Sequence, residues 1–200
     1  MKRLIKLLAI AAAVMLLCSF MPSFEEAQIY DKVLRLHVIA SSDLQEDQAL
    51  KLKVRDAILE YTKDVPNITG IENAREYYAQ RLDEIKDVAQ ETVDKEGKGQ
   101  DVQVSLGYEY YPTRTYEDIS LPAGEYLSLR VMIGSGAGQN WWCVLYPPIC
   151  LSAASAEEEL VSAGFTPEQM QIITEGESTR YKIKFKILEE ASRIWHKLFP

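Results

Sequence analysis

Apolar and polar residues alternate from Val33 to Ser41, which predicts a β-strand. Leu34, Leu36, Val38 and Ala40 fall on one face; Val33, Arg35, His37 and Ile39 fall on the other. Arg35 and His37 are therefore neighbours on a face that is not simply apolar. From Ser42 the period becomes helical. Asp43 with Glu46 predicts a capping-box start with Asp43 as N-cap. The helix runs to about Thr62, with Leu50, Val54, Ala57, Ile58 and Tyr61 as its apolar stripe. Asp47 and Lys51 are spaced to pair on the side opposite that stripe. Thr69 with Glu72 repeats the start signal, and a second helix is expected from Ile71 to about Lys95. Its stripe is Ala74, Tyr78, Leu82, Ile85, Ala89 and Thr92.

From Asp101 the period returns to two. Val102, Val104 and Leu106 predict a strand reaching toward Tyr111, and Pro112 to Ala123 reads as a polar loop. Glu125 to Ile133 alternates as Tyr126, Ser128, Arg130 and Met132 against Leu127, Leu129, Val131 and Ile133. Gly134 to Asn140 carries three glycines, but a strand follows it, so it predicts a flexible hairpin loop and not a dinucleotide cradle. The next strand starts at Trp141 and must stop or bend at Pro147–Pro148. Ser155 to Ala163 predicts a short helix, and Gly164 to Gly176 a loop. Arg180 to Phe199 has Ile183, Ile187, Ala191, Ile194 and Leu198 at helical spacing. This element order predicts an α+β fold. A mainly antiparallel sheet is covered on one face by two long amphipathic helices, and a C-terminal helical tail follows. The expected domain spans 33–176, after a linker at 24–32 and before an amphipathic tail at 177–200.

The N-terminus changes the compartment. Met1 to Lys6 is basic and Leu7 to Leu17 is unbroken apolar sequence, the pattern of an export signal or short membrane anchor over residues 1–23. Ser19 and Ser23 are the candidate last residues removed. Without Lys2, Arg3 and Lys6 the net charge moves from −8 to −11, which disfavours nucleic acid as a partner. Export also changes how Cys143 and Cys150 read, because nearby thiols outside the cytoplasm tend to oxidise. A bridge between them is expected, with buried free thiols as the alternative. Two cysteines and two distant histidines make no recognisable metal-ligand set, and no cofactor motif is present.

The stretch Trp141-Trp-Cys-Val-Leu-Tyr-Pro-Pro-Ile-Cys150 is the densest in chemistry. Strand alternation groups Trp142, Val144 and Tyr146 on one face and Trp141, Cys143 and Leu145 on the other. Three uses compete for it. The tryptophans are core; or Trp141, Trp142 and Tyr146, stiffened by Pro147 and Pro148, are partner anchors; or Cys143 is a thiolate nucleophile with His37 as base. Arg35, His37 and Asp43 form a second patch or the support of the first. The tail has three uses as well: docking on its own domain, which is the default, lying on a membrane surface, or pairing with a partner; Lys182, Lys184 and Lys186 favour a surface near anionic lipid.

Leu34-Arg-Leu-His-Val-Ile-Ala-Ser-Ser-Asp43, Glu46-Asp-Gln-Ala-Leu-Lys-Leu-Lys-Val-Arg-Asp56 and the Trp141–Cys150 stretch, in that order, resemble the stage II sporulation protein R family. The resemblance covers about Val33 to Cys150. It implies a protein exported into the space between the two septal membranes of a sporulating cell. There it would trigger a membrane-embedded aspartic protease of the mother cell, which then processes a sigma factor precursor. It implies a signal, not an enzyme. The alternatives are an exported cysteine-dependent hydrolase and a cell-wall or membrane-binding module, with membrane contact through the N-terminal segment or the tail.

Overall fold

The computed structural model describes residues 24–63, 68–116, 119–149 and 156–174. Within them the order is α1 (Phe24–Tyr30), β1 (Leu34–Ile39), α2 (Gln45–Thr62), α3 (Ile71–Ala79), α4 (Leu82–Lys95) and β2 (Val102–Tyr111). Then come β3 (Arg114–Tyr116), β4 (Ile119–Leu121), β5 (Gly124–Ile133), β6 (Asn140–Tyr146), α5 (Ala156–Ser162) and α6 (Pro167–Thr174). The segment expected as an export signal, Cys150 and the tail after Thr174 lie outside the described residues. Among the described residues no helix is long and apolar enough to cross a membrane.

The chain divides into two compact units. Among the described residues, the larger falls within Ile29–Tyr110 and Glu125–Thr166, and the smaller takes 24–28, those of Tyr111–Gly124, and 167–174. The larger is built on a four-stranded sheet of order β2-β5-β1-β6. The α+β class holds, and the sheet is mixed: β1 runs parallel to β5 and antiparallel to β6. β5 and β6, adjacent in sequence, are thus not paired, because β1 lies between them. The glycine segment after β5 is no hairpin turn; it crosses the end of β1.

Strand alternation sorts the side chains as expected. Leu34, Leu36 and Val38 of β1 stand beside Leu127, Leu129 and Val131 of β5. They share one apolar cluster with Leu50, Val54 and Ile58 of α2, Ala74 and Tyr78 of α3, and Ile85, Ala89 and Val93 of α4. Each methylene buried there contributes about 0.8 kcal/mol, which is why the helices settle on this face. The opposite side of β1 is buried as well, so all six of its residues are covered.

The second long helix is two helices. It breaks at Gln80–Arg81, where Arg81 leaves helical geometry (φ −117°, ψ 15°) and donates through Nη1 to the Tyr77 carbonyl at 3.1 Å. No glycine or proline marks the break. Past it the buried stripe advances by fours, so Val93 is buried where the uninterrupted period predicted Thr92. The stretch Phe24–Tyr30, expected as linker, is a helix with acidic Glu25 and Glu26 in its favourable first turn.

In the smaller unit, the expected loop Pro112–Ala123 contains the β3–β4 hairpin, with Ile119, Ser120 and Leu121 buried. The expected loop after Gly164 contains α6, which begins on Pro167, where a missing N–H costs nothing. The side-chain amide of Gln169, fully buried on α6, donates to Glu25 Oε2 and Gln28 Oε1, both at 3.1 Å.

Candidate functional site

The polar face of the sheet carries one row of side chains that crosses all four strands. β1 contributes His37, which lies opposite Arg130 of β5 and Trp142 of β6. Glu109 reaches in from β2 and Asn140 from the start of β6. His37 Nδ1 lies 3.2 Å from Glu109 Oε2, and Nε2 lies 2.9 Å from Asn140 Oδ1. Ser128 Oγ donates to the same Glu109 oxygen at 2.6 Å, and Arg130 Nε stands 3.5 Å from the other. The Trp142 ring stacks on the imidazole with centroids 3.9 Å apart and planes 17° from parallel.

Burial alone would raise the Glu109 pKa. Hydrogen bonds from His37 and Ser128, with the charges of His37 and Arg130, outweigh it and hold the carboxyl below its ordinary value. A protonated His37 would donate to both acceptors; a neutral ring satisfies both contacts only with the Asn140 amide turned to offer its N–H. Either way the row is closed on itself, with each polar group turned toward another.

Arg35 is fully buried one step along β1. Its Nε donates to the Cys143 carbonyl at 3.3 Å, and its guanidinium lies 4.9 Å from the centre of the Tyr126 ring. The structure therefore joins Arg35, His37 and Trp142 on one face. It places Trp141 and Cys143 on the other, with the helix-side cluster. There the Arg55 guanidinium covers the Trp141 ring at 4.3 Å.

Several sequence expectations change here. Tyr146 does not share a face with Trp142. The ladder shifts between Leu34 and Arg35, so that Tyr146 lies opposite Leu34 and joins the helix-side cluster. Its hydroxyl accepts the Gly70 N–H at 2.6 Å, and Gly70 caps α3 in place of Thr69. Tyr146→Phe is expected to cost about 1 kcal/mol in urea unfolding, the value of one such bond. An unchanged midpoint would show that water replaces it.

Asp43 is not a helix cap either. Leu44 holds that position without a side-chain bond, while Asp43 Oδ1 accepts the Gln139 N–H at 2.8 Å. Asp47 and Lys51 do not lie on the outer side of α2 but are buried with its apolar residues; Asp47 takes the Ser42 hydroxyl at 2.5 Å and does not pair with Lys51. Lys51 instead reaches the Gln48 side chain at 2.6 Å and the Gln139 carbonyl at 2.9 Å. Pro147 follows a cis peptide bond and Pro148 is half-buried beside it.

A Cys143–His37 dyad is not formed. Cys143 lies opposite Leu36 in the helix-side cluster, whereas His37 faces the other way with both ring nitrogens engaged. Among the described residues no three metal-binding side chains gather. Glu109, Ser128, Arg130 and Asn140 were not singled out from sequence. Strand alternation placed Ser128 and Arg130 on one face, but only the pairing of distant strands brings Glu109 to them.

Fold and row define a small mixed-sheet α+β domain with a self-satisfied polar face. A family model described as Stage II sporulation protein R (spore_II_R) matches residues 30–156. The Stage II sporulation protein R of Bacillus subtilis (strain 168) is 45% identical over 123 residues, 61% of this chain and 55% of that protein. The match thus spans about half the length of that relative. No solved structure matches. The chain belongs to the stage II sporulation protein R family.

Proposed function

We propose that the chain is an exported sporulation signal, not an enzyme. In this reading it acts from the space between the septal membranes and activates a membrane-embedded aspartic protease of the mother cell, which then processes a sigma factor precursor. Family membership is the observation that carries it. The basic-then-apolar N-terminus supports export. The separation of Cys143 from His37 speaks against thiol chemistry at that pair.

Residues 33–176 would be the signalling domain, with its contact region at the β6 side of the sheet. Trp141 and Trp142, both half-buried, would supply the contact area there, with Tyr146, Pro147 and Pro148 shaping the strand end. Arg35, His37 and Asp43 would support it from beneath. A Cys143–Cys150 bridge would pin the far side of the proline pair; Cys150 lies outside the described residues. Binding activates only by favouring the protease's active state over its inactive one.

The test is co-expression of the exported protein, the protease and the precursor in a non-sporulating host. Processing should require the wild-type chain. Trp141→Ala and Trp142→Ala should each lower it about fivefold at equal secreted amounts. Full processing by both variants would end the tryptophan contact; no processing with an active protease and verified export would end the activator reading.

A further inference from the structure

Leu44 is 69% exposed, the most exposed large apolar side chain among the described residues. A single exposed leucine is ordinary on a surface. This one breaks a local rule, because it occupies the N-cap of α2, where Ser, Thr, Asp or Asn would stabilise the helix by about 1 kcal/mol. The neighbouring Asp43, which could cap, is instead used to hold the crossing loop.

The loop beneath Leu44 is fixed from several sides. The Leu44 N–H donates to Ser42 Oγ at 3.2 Å, and its carbonyl accepts the Gln48 N–H at 3.0 Å. The Ala137 and Gly138 N–H groups donate to the Ser41 and Ala40 carbonyls at 3.3 and 2.9 Å. A side chain at Gly138 would place its Cβ 2.3 Å from the Ser42 carbonyl oxygen, so only glycine allows the two loops to lie this close. Lys51, 5% exposed, closes the arrangement through the Gln139 carbonyl, and burial lowers its pKa against the pull of Asp43. A loop pair locked this firmly loses little conformational entropy when it docks.

We propose that this tip, Ser41–Leu44 braced by Gly134–Gln139, is a docking knob in which Leu44 enters an apolar, cation-rimmed pocket on a partner protein. The inference rests on the activator reading, and the partner is the protease's extracytoplasmic face. Charge selects the occupant. Asp43 and Glu46 flank Leu44 and are exposed; Lys98 pairs with Glu46, while the chain as a whole is acidic. Such a rim repels anionic lipid and a second copy of itself, and suits lysine or arginine at a pocket mouth. The tip leads directly into Asn140 and Trp141, so it is continuous with the proposed contact strand.

The test uses the same co-expression assay with Leu44→Ser, Leu44→Asp and Glu46→Lys in the full-length chain. Leu44→Ser supplies the missing cap, so the Tm of the purified protein should hold or rise while processing falls about tenfold. A residue with only a structural role would move both in the same direction. Leu44→Asp should abolish processing, and Glu46→Lys should lower it about threefold, by weakening charge-steered encounter. Full processing by Leu44→Ser and Leu44→Asp overturns the knob and leaves the activator reading intact. Failure of the wild type to drive processing overturns both. Leu44-dependent flotation with phosphatidylglycerol vesicles, or a dimer lost in Leu44→Ser, assigns the knob to another occupant and overturns the proposal.

Discussion

Arg35→Ala is expected to lower the unfolding free energy by roughly 3–5 kcal/mol. Arg35 is fully buried at the centre of the sheet, between β5 and β6. Removing it opens a cavity under the Tyr126 ring, which also packs edge-on to Tyr30 with centroids 5.1 Å apart. It also removes the donation from Arg35 Nε to the Cys143 carbonyl. Among the described strands β6 lies at the edge and pairs with β1, so loss of this tie loosens the strand that carries Trp141 and Trp142. Arg35→Met keeps most of the volume and should lose less than alanine; Arg35→Lys keeps the charge but not the planar guanidinium against the ring. Urea unfolding of the three purified variants checks the order. An alanine variant within about 1 kcal/mol of wild type would mean that the sheet relaxes into the space. Signalling by Arg35→Ala should fall in step with its unfolded fraction, as expected of a supporting residue and not of a contact.

The strands were legible because their pattern is local. The alternation of Leu34 to Val38 and of Leu127 to Ile133 told both faces correctly, including the odd position of Arg35 and His37. Their order was not legible. Nothing in the period of β5 and β6 says that β1, about ninety residues earlier, inserts between them, because pairing partners are chosen by the whole core. Tertiary contacts also overruled local preference at single residues. Asp43 has the better intrinsic claim to cap α2, yet the Gln139 N–H takes its carboxylate and Leu44 is left at the cap. The ladder shift at Leu34 moved Tyr146 to the opposite face, and one such shift is invisible in a seven-residue strand. The polar row was half visible. His37 and Trp142 stood out by type, whereas Glu109 is one acid in an aromatic stretch and gains meaning only from the strands beside it.

Glu109→Gln should destabilise the protein by about 2 kcal/mol near neutral pH, and the deficit should shrink as the solution is made acidic. The sign follows from the direction of the shift. Hydrogen bonds and cationic neighbours lower the folded pKa of Glu109 against the opposing effect of burial. Its contribution is therefore fully present above the ordinary carboxyl pKa of 4.5 and is lost as the pH falls through the lower folded value. Glutamine keeps an acceptor for Ser128 but gives up the charge that faces His37 and Arg130. Wild type and variant should thus converge in urea midpoint in acid and separate toward neutrality. A constant gap across the carboxyl range would mean that the loss is shape and hydrogen bonding, not charge. The same comparison bears on Trp142, whose ring lies against the imidazole that Glu109 orients. If the row serves as the footing of β6, Glu109→Gln should increase the solvent exposure of Trp142 fluorescence together with the loss of stability, and both should be greatest where Glu109 would be ionised.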